Sequence, residues 1–96
     1  MERTRILELL SEHKPALAER FGVRALSVFG SVARGTAQAG SDIDVLVDFG
    51  GPATPEAYFG VQFYLEDLLG SPVDLVTDKA LRPELRPFVE REAIHV

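Results

Sequence analysis

Two aspartates separated by a single residue are the part of this chain best suited to chemistry. Asp42 and Asp44 begin a segment in which acidic and hydrophobic residues alternate. Such alternation predicts a β-strand, in which side chains at positions i and i+2 project from the same face. Two adjacent carboxylates repel each other unless a cation lies between them or one of them is protonated. Their oxygens suit Mg²⁺, which leaves positions open for phosphate and water.

A third aspartate, Asp74, lies in the otherwise apolar segment Val73–Val76. Aspartate is disfavoured in the middle of a strand, so its presence there indicates a function. If this strand lies beside the one that contains Asp44, the three carboxylates form a cluster that is able to hold two metal ions. Asp48 shares the face of Asp44 but lies further along, where we expect a solvated strand end.

A phosphate site is predicted at Gly30-Ser31, where a strand is followed by a short helical turn. Glycine lets a phosphate approach the backbone closely, and the Ser31 hydroxyl and the amide groups of the turn can donate to it. Arg34 follows three residues later on the same face of the turn, where it either contacts this phosphate or is an ordinary surface residue. The P-loop pattern GxxxxGK[ST] is absent, so the predicted site belongs to another class of phosphate site.

The residues around these motifs predict the helices that position them. Apolar residues recur at helical spacing over residues 3–21, and Pro15 is expected to kink this helix or to begin a second one. Thr54 is a good N-cap for another helix with proline at its first position, and Gly70 closes that helix.

The remaining segments predict a sheet and a last helix. Three strands are predicted, over residues 24–29, 43–49 and 73–77. A helix over residues 83–93, interrupted at Pro87, precedes an edge strand at 94–96. Strands that alternate with helices predict an α/β (α+β) fold, in which helices flank a small mixed sheet of three to four strands.

The composition predicts one domain over residues 1–96 and excludes several classes of function. The chain has 96 residues, no cysteine and a formal net charge of −5. Disulfides and thiolate metal sites are excluded, and an acidic chain is not expected to bind nucleic acid strongly. No apolar segment approaches the ~20 residues of a membrane span, so we expect no membrane association and a cytoplasmic location.

The motifs combine in the segment FGSVARGTAQAGSDIDVLVDF, where Gly-Ser, ten intervening residues and Asp-x-Asp follow one another. In this pattern the chain resembles the polymerase β-like nucleotidyltransferase superfamily, and specifically its minimal members. The resemblance covers nearly the whole chain, from the first helix to the final REAIHV, and implies the nucleotidyltransferase fold. It includes Asp74 as the third carboxylate of the family and Ser41 directly before the aspartate pair.

The resemblance implies nucleotidyl transfer from a nucleoside triphosphate, with AMP from ATP as the expected group. Asp42 and Asp44 would hold two Mg²⁺ ions, and Asp74 would bind one of them and help to activate the acceptor hydroxyl. That hydroxyl would attack the α-phosphate in line, and pyrophosphate would leave. The residues that would bind the nucleotide and its phosphates are Gly30, Ser31, Arg34 and Ser41.

The resemblance also implies a partner, because minimal members are usually encoded beside a helical HEPN-domain protein in toxin–antitoxin pairs. The expected acceptor is a tyrosine of a HEPN-type ribonuclease toxin, with which this chain would form a complex and act as antitoxin. Two alternatives stay open. One is a non-catalytic antitoxin that neutralises its partner by stoichiometric binding, and the other is a nucleotidyltransferase that acts on RNA or on a small molecule.

Overall fold

Helices and a mixed sheet make up the computed structural model, which describes residues 2–96. In chain order the helices are α1 (Arg3–Phe21), α2 (Gly30–Arg34), α3 (Pro55–Leu69) and α4 (Arg86–Glu92), and a 3₁₀ turn covers Asp78–Ala80. The strands are β1 (Ala25–Phe29), β2 (Ile43–Asp48), β3 (Val73–Thr77) and β4 (Ile94–His95). The predicted mixed sheet with flanking helices is confirmed, and so is the edge strand that follows the last helix.

The strand order β3-β2-β1-β4 places the two strands that carry aspartates side by side. β1 pairs antiparallel with β2 and with β4, whereas β2 and β3 run parallel. A parallel pair needs a crossover connection, which α3 supplies between β2 and β3. β2 and β3 therefore begin at the end of the sheet where β1 finishes.

One face of the sheet is covered by α1 and α3. Val28, Val45 and Leu75 lie opposite one another across three strands and are at most 4% exposed. Leu10 of α1 and Leu65 of α3 are completely buried in the same apolar core. Each such side chain contributes roughly 1.5–3 kcal/mol when it is fully buried. A slip of one residue would turn acidic side chains into this core, so burial fixes the register that the site needs.

The ends of α3 follow the predicted signals. Thr54 Oγ1 accepts a hydrogen bond from the amide of Ala57 at 3.1 Å, as expected of an N-cap. Gly70 ends the helix in the left-handed conformation with φ of 65°, and its amide donates to the Glu66 carbonyl. Within residues 2–96, no helix combines the length and the hydropathy of a membrane-spanning segment.

Neither Pro15 nor Pro87 divides a helix in two. Pro15 begins no second helix, because α1 continues through it. A proline inside a helix leaves the carbonyl four residues earlier without its N–H partner. Here both Pro15 and Ser11 are exposed, so water can satisfy that carbonyl. The prediction of a helix interrupted at Pro87 is wrong, since α4 begins at Arg86 and Pro87 lies in its first turn, where no hydrogen bond is lost.

Candidate active site

Asp44 and Asp74 lie directly opposite each other on the parallel strands β2 and β3. Adjacent strands are about 4.8 Å apart, so side chains that are in register on one face are neighbours. Both carboxyl groups project from the face opposite the α1–α3 core, because they alternate with the buried residues of their strands. β3 therefore lies beside β2, which is the condition for Asp44 and Asp74 to share one carboxylate cluster.

Polar side chains of α3 hold β3 at the edge of the sheet. The Tyr58 hydroxyl donates to the carbonyl of Leu75 at 2.6 Å, and a Glu66 carboxylate oxygen accepts from the amide of Val73 at 3.0 Å. These two contacts lie on either side of Asp74 in the strand. They fix its backbone from the helix side while leaving its side chain exposed.

Gly30 lies against Asp44 where β1 gives way to α2. The register pairs Phe29 with Asp44, so the turn that follows β1 begins beside this carboxylate. The φ of Gly30 is +70°, in the left-handed region that favours glycine. A Cβ at this position would overlap the Oδ2 atom of Asp44. Glycine is thus required both by the turn and by the close approach of the carboxylate.

The surroundings of Asp44 favour its neutral form. The pKa of its carboxyl group is raised from 3.8 to about 6, first by burial and then by the neighbouring Asp74 and by the charge of Asp42. The guanidinium of Arg34 acts in the opposite direction. The site thus gathers negative charge with too little positive charge to balance it, a deficit that a bound cation would relieve.

Asp42 takes part in this cluster from outside the strand. It is exposed and directly precedes β2, and its charge reaches Asp44. The described residues nevertheless contain no group of three His, Cys, Asp or Glu side chains arranged to hold a metal ion. Asp48 is not part of the cluster, because its Oδ1 accepts the amide hydrogen of Gly50 at 2.7 Å beyond the far end of β2.

The two serines of the predicted phosphate site differ in their contacts. Ser31 is half-buried next to Gly30, and its hydroxyl makes no hydrogen bond to any residue in the range 2–96. Ser41 closes the loop before the aspartates, since its Oγ accepts from the amide of Gln38 at 3.1 Å and its own amide donates back to Gln38 at 3.0 Å. Ser31 is therefore open to a ligand, whereas Ser41 also shapes the loop.

Arg34 leads to a residue that the sequence patterns missed. Its Nη1 donates to Oε2 of Glu92 at 2.9 Å, and Oε1 of Glu92 accepts from the amide of Gly30 at 2.9 Å. Glu92 lies in the last turn of α4, and its contact to Gly30 spans 62 positions of the chain. Local patterns cannot reveal a contact of this length. The sequence signal for Glu92 was its position in the final segment REAIHV, which the family resemblance covers.

Comparison with known proteins agrees with this geometry. The nucleotidyltransferase domain family matches residues 10–96, a range that contains every residue predicted for the site. The protein adenylyltransferase MntA of Thermococcus cleftensis is 44% identical to this chain over 91 residues, which are 95% of this chain and 92% of that protein.

Solved structures show the same similarity. The structure of a candidate minimal nucleotidyltransferase has a TM-score of 0.82 and 41% identity, and the match covers 98% of this chain and 95% of that one. A crystal structure of a toxin–antitoxin with AMP-PNP has a TM-score of 0.71 and 25% identity, covering 99% of this chain and 72% of that one. The whole described fold therefore recurs in these proteins, including the end of the sheet at which β2 and β3 begin.

Proposed function

This chain belongs to the nucleotidyltransferase domain family, and on that premise we propose that it transfers AMP from ATP to a hydroxyl group of a partner protein. The observation that carries the proposal is the in-register pair of Asp44 and Asp74 beside the Gly30-Ser31 turn. AMP as the transferred group and a protein as the acceptor are supported by the similarity to a protein adenylyltransferase.

We further propose that the acceptor is a tyrosine of a HEPN-type ribonuclease toxin, which makes this chain the antitoxin of the pair. The similarity to a toxin–antitoxin that was crystallised with AMP-PNP, an analogue of ATP, supports both the partner and the nucleotide. The HEPN class of the partner follows from the family resemblance of the sequence. The proposal places the reaction in the cytoplasm, with the chain in complex with its toxin.

Mg²⁺ is the cation that fits the carboxylates of this site. The donors are all oxygens, which Mg²⁺ prefers, and the pKa of Asp44 is raised by burial and then by the neighbouring carboxylates of Asp74 and Asp42. Mg²⁺ is commonly bound by carboxylates together with substrate phosphates, so a bound triphosphate would complete its coordination here. We propose that Asp42, Asp44 and Asp74 hold two Mg²⁺ ions, which would neutralise the charge of the triphosphate and of the departing pyrophosphate.

Ser31 and Arg34 are the side chains that we assign to the triphosphate. The Ser31 hydroxyl donates to a phosphate oxygen from the start of α2. Arg34 adds charge-assisted hydrogen bonds, since only part of its guanidinium is used by Glu92. Ser41 keeps its hydroxyl hydrogen free while its oxygen accepts from the loop, so it is a further candidate donor.

At the α-phosphorus the reaction forms one bond and breaks one, and the acceptor hydroxyl loses its proton. The acceptor hydroxyl oxygen attacks the α-phosphorus in line, the bond from the α-phosphorus to the bridging oxygen breaks, and pyrophosphate leaves with the electron pair. Asp74 is exposed at the start of β3, and we assign it the proton of the attacking hydroxyl. The products are pyrophosphate and an acceptor that carries AMP as a phosphodiester. Positioning and charge neutralisation supply most of the rate enhancement in such a transfer.

The test is a labelling reaction with the purified chain, Mg²⁺, α-labelled ATP and the HEPN-type toxin. We expect label on the toxin by gel, and a mass increase of one AMP unit for each modification, located on tyrosine by mass spectrometry. The Asp42→Ala/Asp44→Ala variant should reduce the label to background. The matched control is Asp48→Asn, which alters a carboxylate of the same strand outside the cluster and should label the toxin as the wild type does.

The outcomes separate the competing functions. If none of the four nucleoside triphosphates gives label and the double variant still neutralises the toxin, the chain is a stoichiometric binding module. Label that appears on RNA or on a small molecule instead of the toxin identifies the other alternative. Label on the toxin that survives in the Asp42→Ala/Asp44→Ala variant contradicts the assignment of the site.

A further inference from the structure

Glu92, in the last turn of α4, contacts two of the residues around the proposed triphosphate site. Its Oε1 accepts a hydrogen bond from the amide of Gly30, and its Oε2 accepts one from Nη1 of Arg34, both at 2.9 Å. The two oxygens of a single carboxylate are thus bound by the first and the last residue of α2. No step of the proposed reaction uses Glu92, so these contacts need an explanation of their own.

The ion pair restrains a side chain that would otherwise be free. The Arg34 side chain is 53% exposed, and that of Glu92 is 26% exposed. Hydrogen bonding from Arg34, and then from the Gly30 amide, lowers the pKa of Glu92, so this carboxylate is charged at neutral pH. A long exposed side chain loses its rotational freedom when a fixed carboxylate holds one of its nitrogens. The contact with Glu92 therefore orients the guanidinium of Arg34.

Arg34 can bind a phosphate while Glu92 holds it. The guanidinium presents five N–H donors in one plane, and Glu92 contacts it only through Nη1. Its positive charge also extends to the carboxylate cluster, where it opposes the raised pKa of Asp44. Glu92 thus keeps Arg34 within electrostatic reach of the carboxylates at which the metal and the triphosphate are proposed to bind.

Glu92 also defines what Gly30 contributes to the site. Gly30 is buried, and its amide is occupied by Glu92, so this amide is not the donor that a phosphate would find. The role of the glycine is to make room for Asp44 on its other side. By binding the amide, Glu92 fixes the beginning of α2, from which the Ser31 side chain projects.

We propose that Glu92 is a positioning residue for nucleotidyl transfer, which holds Arg34 and the Gly30-Ser31 turn in the arrangement that binds the triphosphate. The inference rests on the proposed function, because it presupposes a nucleotide at the carboxylates. Positioning by Glu92 and the negative charge of Glu92 predict opposite effects on the affinity for ATP. A negative charge near the triphosphate repels it, so charge alone predicts tighter ATP binding when Glu92 is neutralised. Positioning predicts weaker binding.

The test compares Glu92→Gln and Glu92→Ala in steady-state transfer to the toxin and in calorimetric binding of AMP-PNP with Mg²⁺. Glutamine keeps an oxygen for the Gly30 amide but loses the charge opposite Arg34, whereas alanine loses both contacts. We expect KM for ATP and Kd for AMP-PNP to rise about threefold in the first variant and about tenfold in the second, with kcat changed less than about twofold. The control is Glu90→Gln, which removes a charge paired with Arg86 on the same helix and should leave all three constants unchanged.

A double-mutant cycle with Arg34→Ala distinguishes positioning from a general loss of structure. If Glu92 acts through Arg34, Glu92→Gln, which keeps an oxygen for the Gly30 amide, should change Kd by less than about twofold in the Arg34→Ala protein. A merely structural role would leave the two effects additive. Thermal unfolding of each variant ensures that only folded proteins are compared. Glu92→Gln alone decides the question if the alanine variant does not fold.

Several results overturn the inference, namely tighter or unchanged nucleotide binding in Glu92→Gln, and additive effects in the cycle. A wild-type protein that binds AMP-PNP but transfers no nucleotide contradicts the proposed function, and the binding series then still decides the role of Glu92. A wild-type protein that binds no AMP-PNP overturns both.

Discussion

Asp44 and Asp48 are the same residue type on the same face of the same strand, and the structure uses them differently. Asp44 lies opposite Asp74 and against Gly30, where burial and neighbouring carboxylates raise its pKa to about 6. Asp48 lies at the other end of β2, where its side chain accepts a hydrogen bond from the amide of Gly50. The first carboxylate faces other carboxylates, and the second completes a backbone turn.

The difference between these two aspartates shows that position along the strand, more than the strand face, determines which carboxylates belong to this site. The site lies at the end of the sheet where β2 and β3 begin. In open parallel sheets ligands usually bind beyond the carboxyl ends of the strands. Here the carboxylates lie at the beginnings of the parallel strands β2 and β3. β1 runs antiparallel to β2, so its carboxyl end, with the Gly30-Ser31 turn, lies at this same end of the sheet. The proposed metal ligands and the proposed phosphate donors are thus brought together by one antiparallel strand.

The largest effect is expected from a substitution of Gly30, which lies against Asp44. Gly30→Ala and Gly70→Ala both place a side chain at positive φ, +70° and +65°, which destabilises each by roughly 1–2 kcal/mol. Only at Gly30 would the new Cβ overlap Asp44, whereas nothing lies within 4 Å of it at Gly70. We expect Gly30→Ala to lower the rate of transfer by roughly a hundredfold or more.

Rates of toxin labelling, together with urea unfolding of both variants, measure this difference. Gly70→Ala, assayed where it is folded, should label the toxin at the wild-type rate. Equal rates in the two variants would mean that the position of the Asp44 carboxylate does not limit the reaction.

An intermediate effect is expected from the titration of Asp44 in metal-free protein. Its folded pKa, about 6, lies above its ordinary value of 3.8, so the folded chain binds more protons between these values. The stability that this group contributes is therefore present at low pH and is lost as the pH rises through about 6. Relative to Asp44→Asn, the melting temperature of the wild type in EDTA should fall by a few degrees between about pH 5 and pH 7.5.

Mg²⁺ should reverse this loss in the wild type, because a cation between the carboxylates favours their charged forms. Melting curves with and without Mg²⁺ should show a larger rise at the higher pH in the wild type and in Asp48→Asn, and almost none in Asp44→Asn. A Mg²⁺ effect of the same size in Asp44→Asn would place the cation elsewhere.

The smallest effect is expected at the Asp48 end. Asp48→Ala removes the acceptor for the Gly50 amide in an exposed turn and should lower the free energy of unfolding by about 0.5–1 kcal/mol. Transfer to the toxin should not change, since this carboxylate is outside the cluster. Asp48→Asn keeps an acceptor oxygen and should retain more of the stability. Loss of activity in either variant would mean that the cluster extends along the strand.

Short-range signals predicted the elements that carry the site. The N-cap Thr54 and the terminating Gly70 gave the bounds of α3, because each acts through its own backbone neighbours. Alternation of apolar residues located β2 and the face of Asp44. Asp74 was identified as a residue out of place in an apolar strand, and its contact with Asp44 required only that the two strands be adjacent.

Features that depend on contacts between separate segments were not predicted. Glu92 acts on Gly30 and Arg34 through a contact that no spacing in the sequence encodes. Pro87 looks the same in the sequence whether it interrupts a helix or lies in its first turn. The structure favours the later start, at Arg86, whose side chain also donates to the carbonyl and the carboxylate of Asp78.

The long separation of Gly30 and Glu92 sets an order in time for the newly made chain. The aspartates of β2 and β3 belong to one strand–helix–strand unit, but the contact that fixes the phosphate turn waits for a residue made 62 positions after Gly30. Translation at about 5–20 residues per second adds Glu92 about 3–12 s after Gly30, but only about 1–3 s after the end of β3. The pair of carboxylates therefore needs only the chain up to β3, whereas the proposed phosphate turn is fixed only after α4 has been made and has packed against α2.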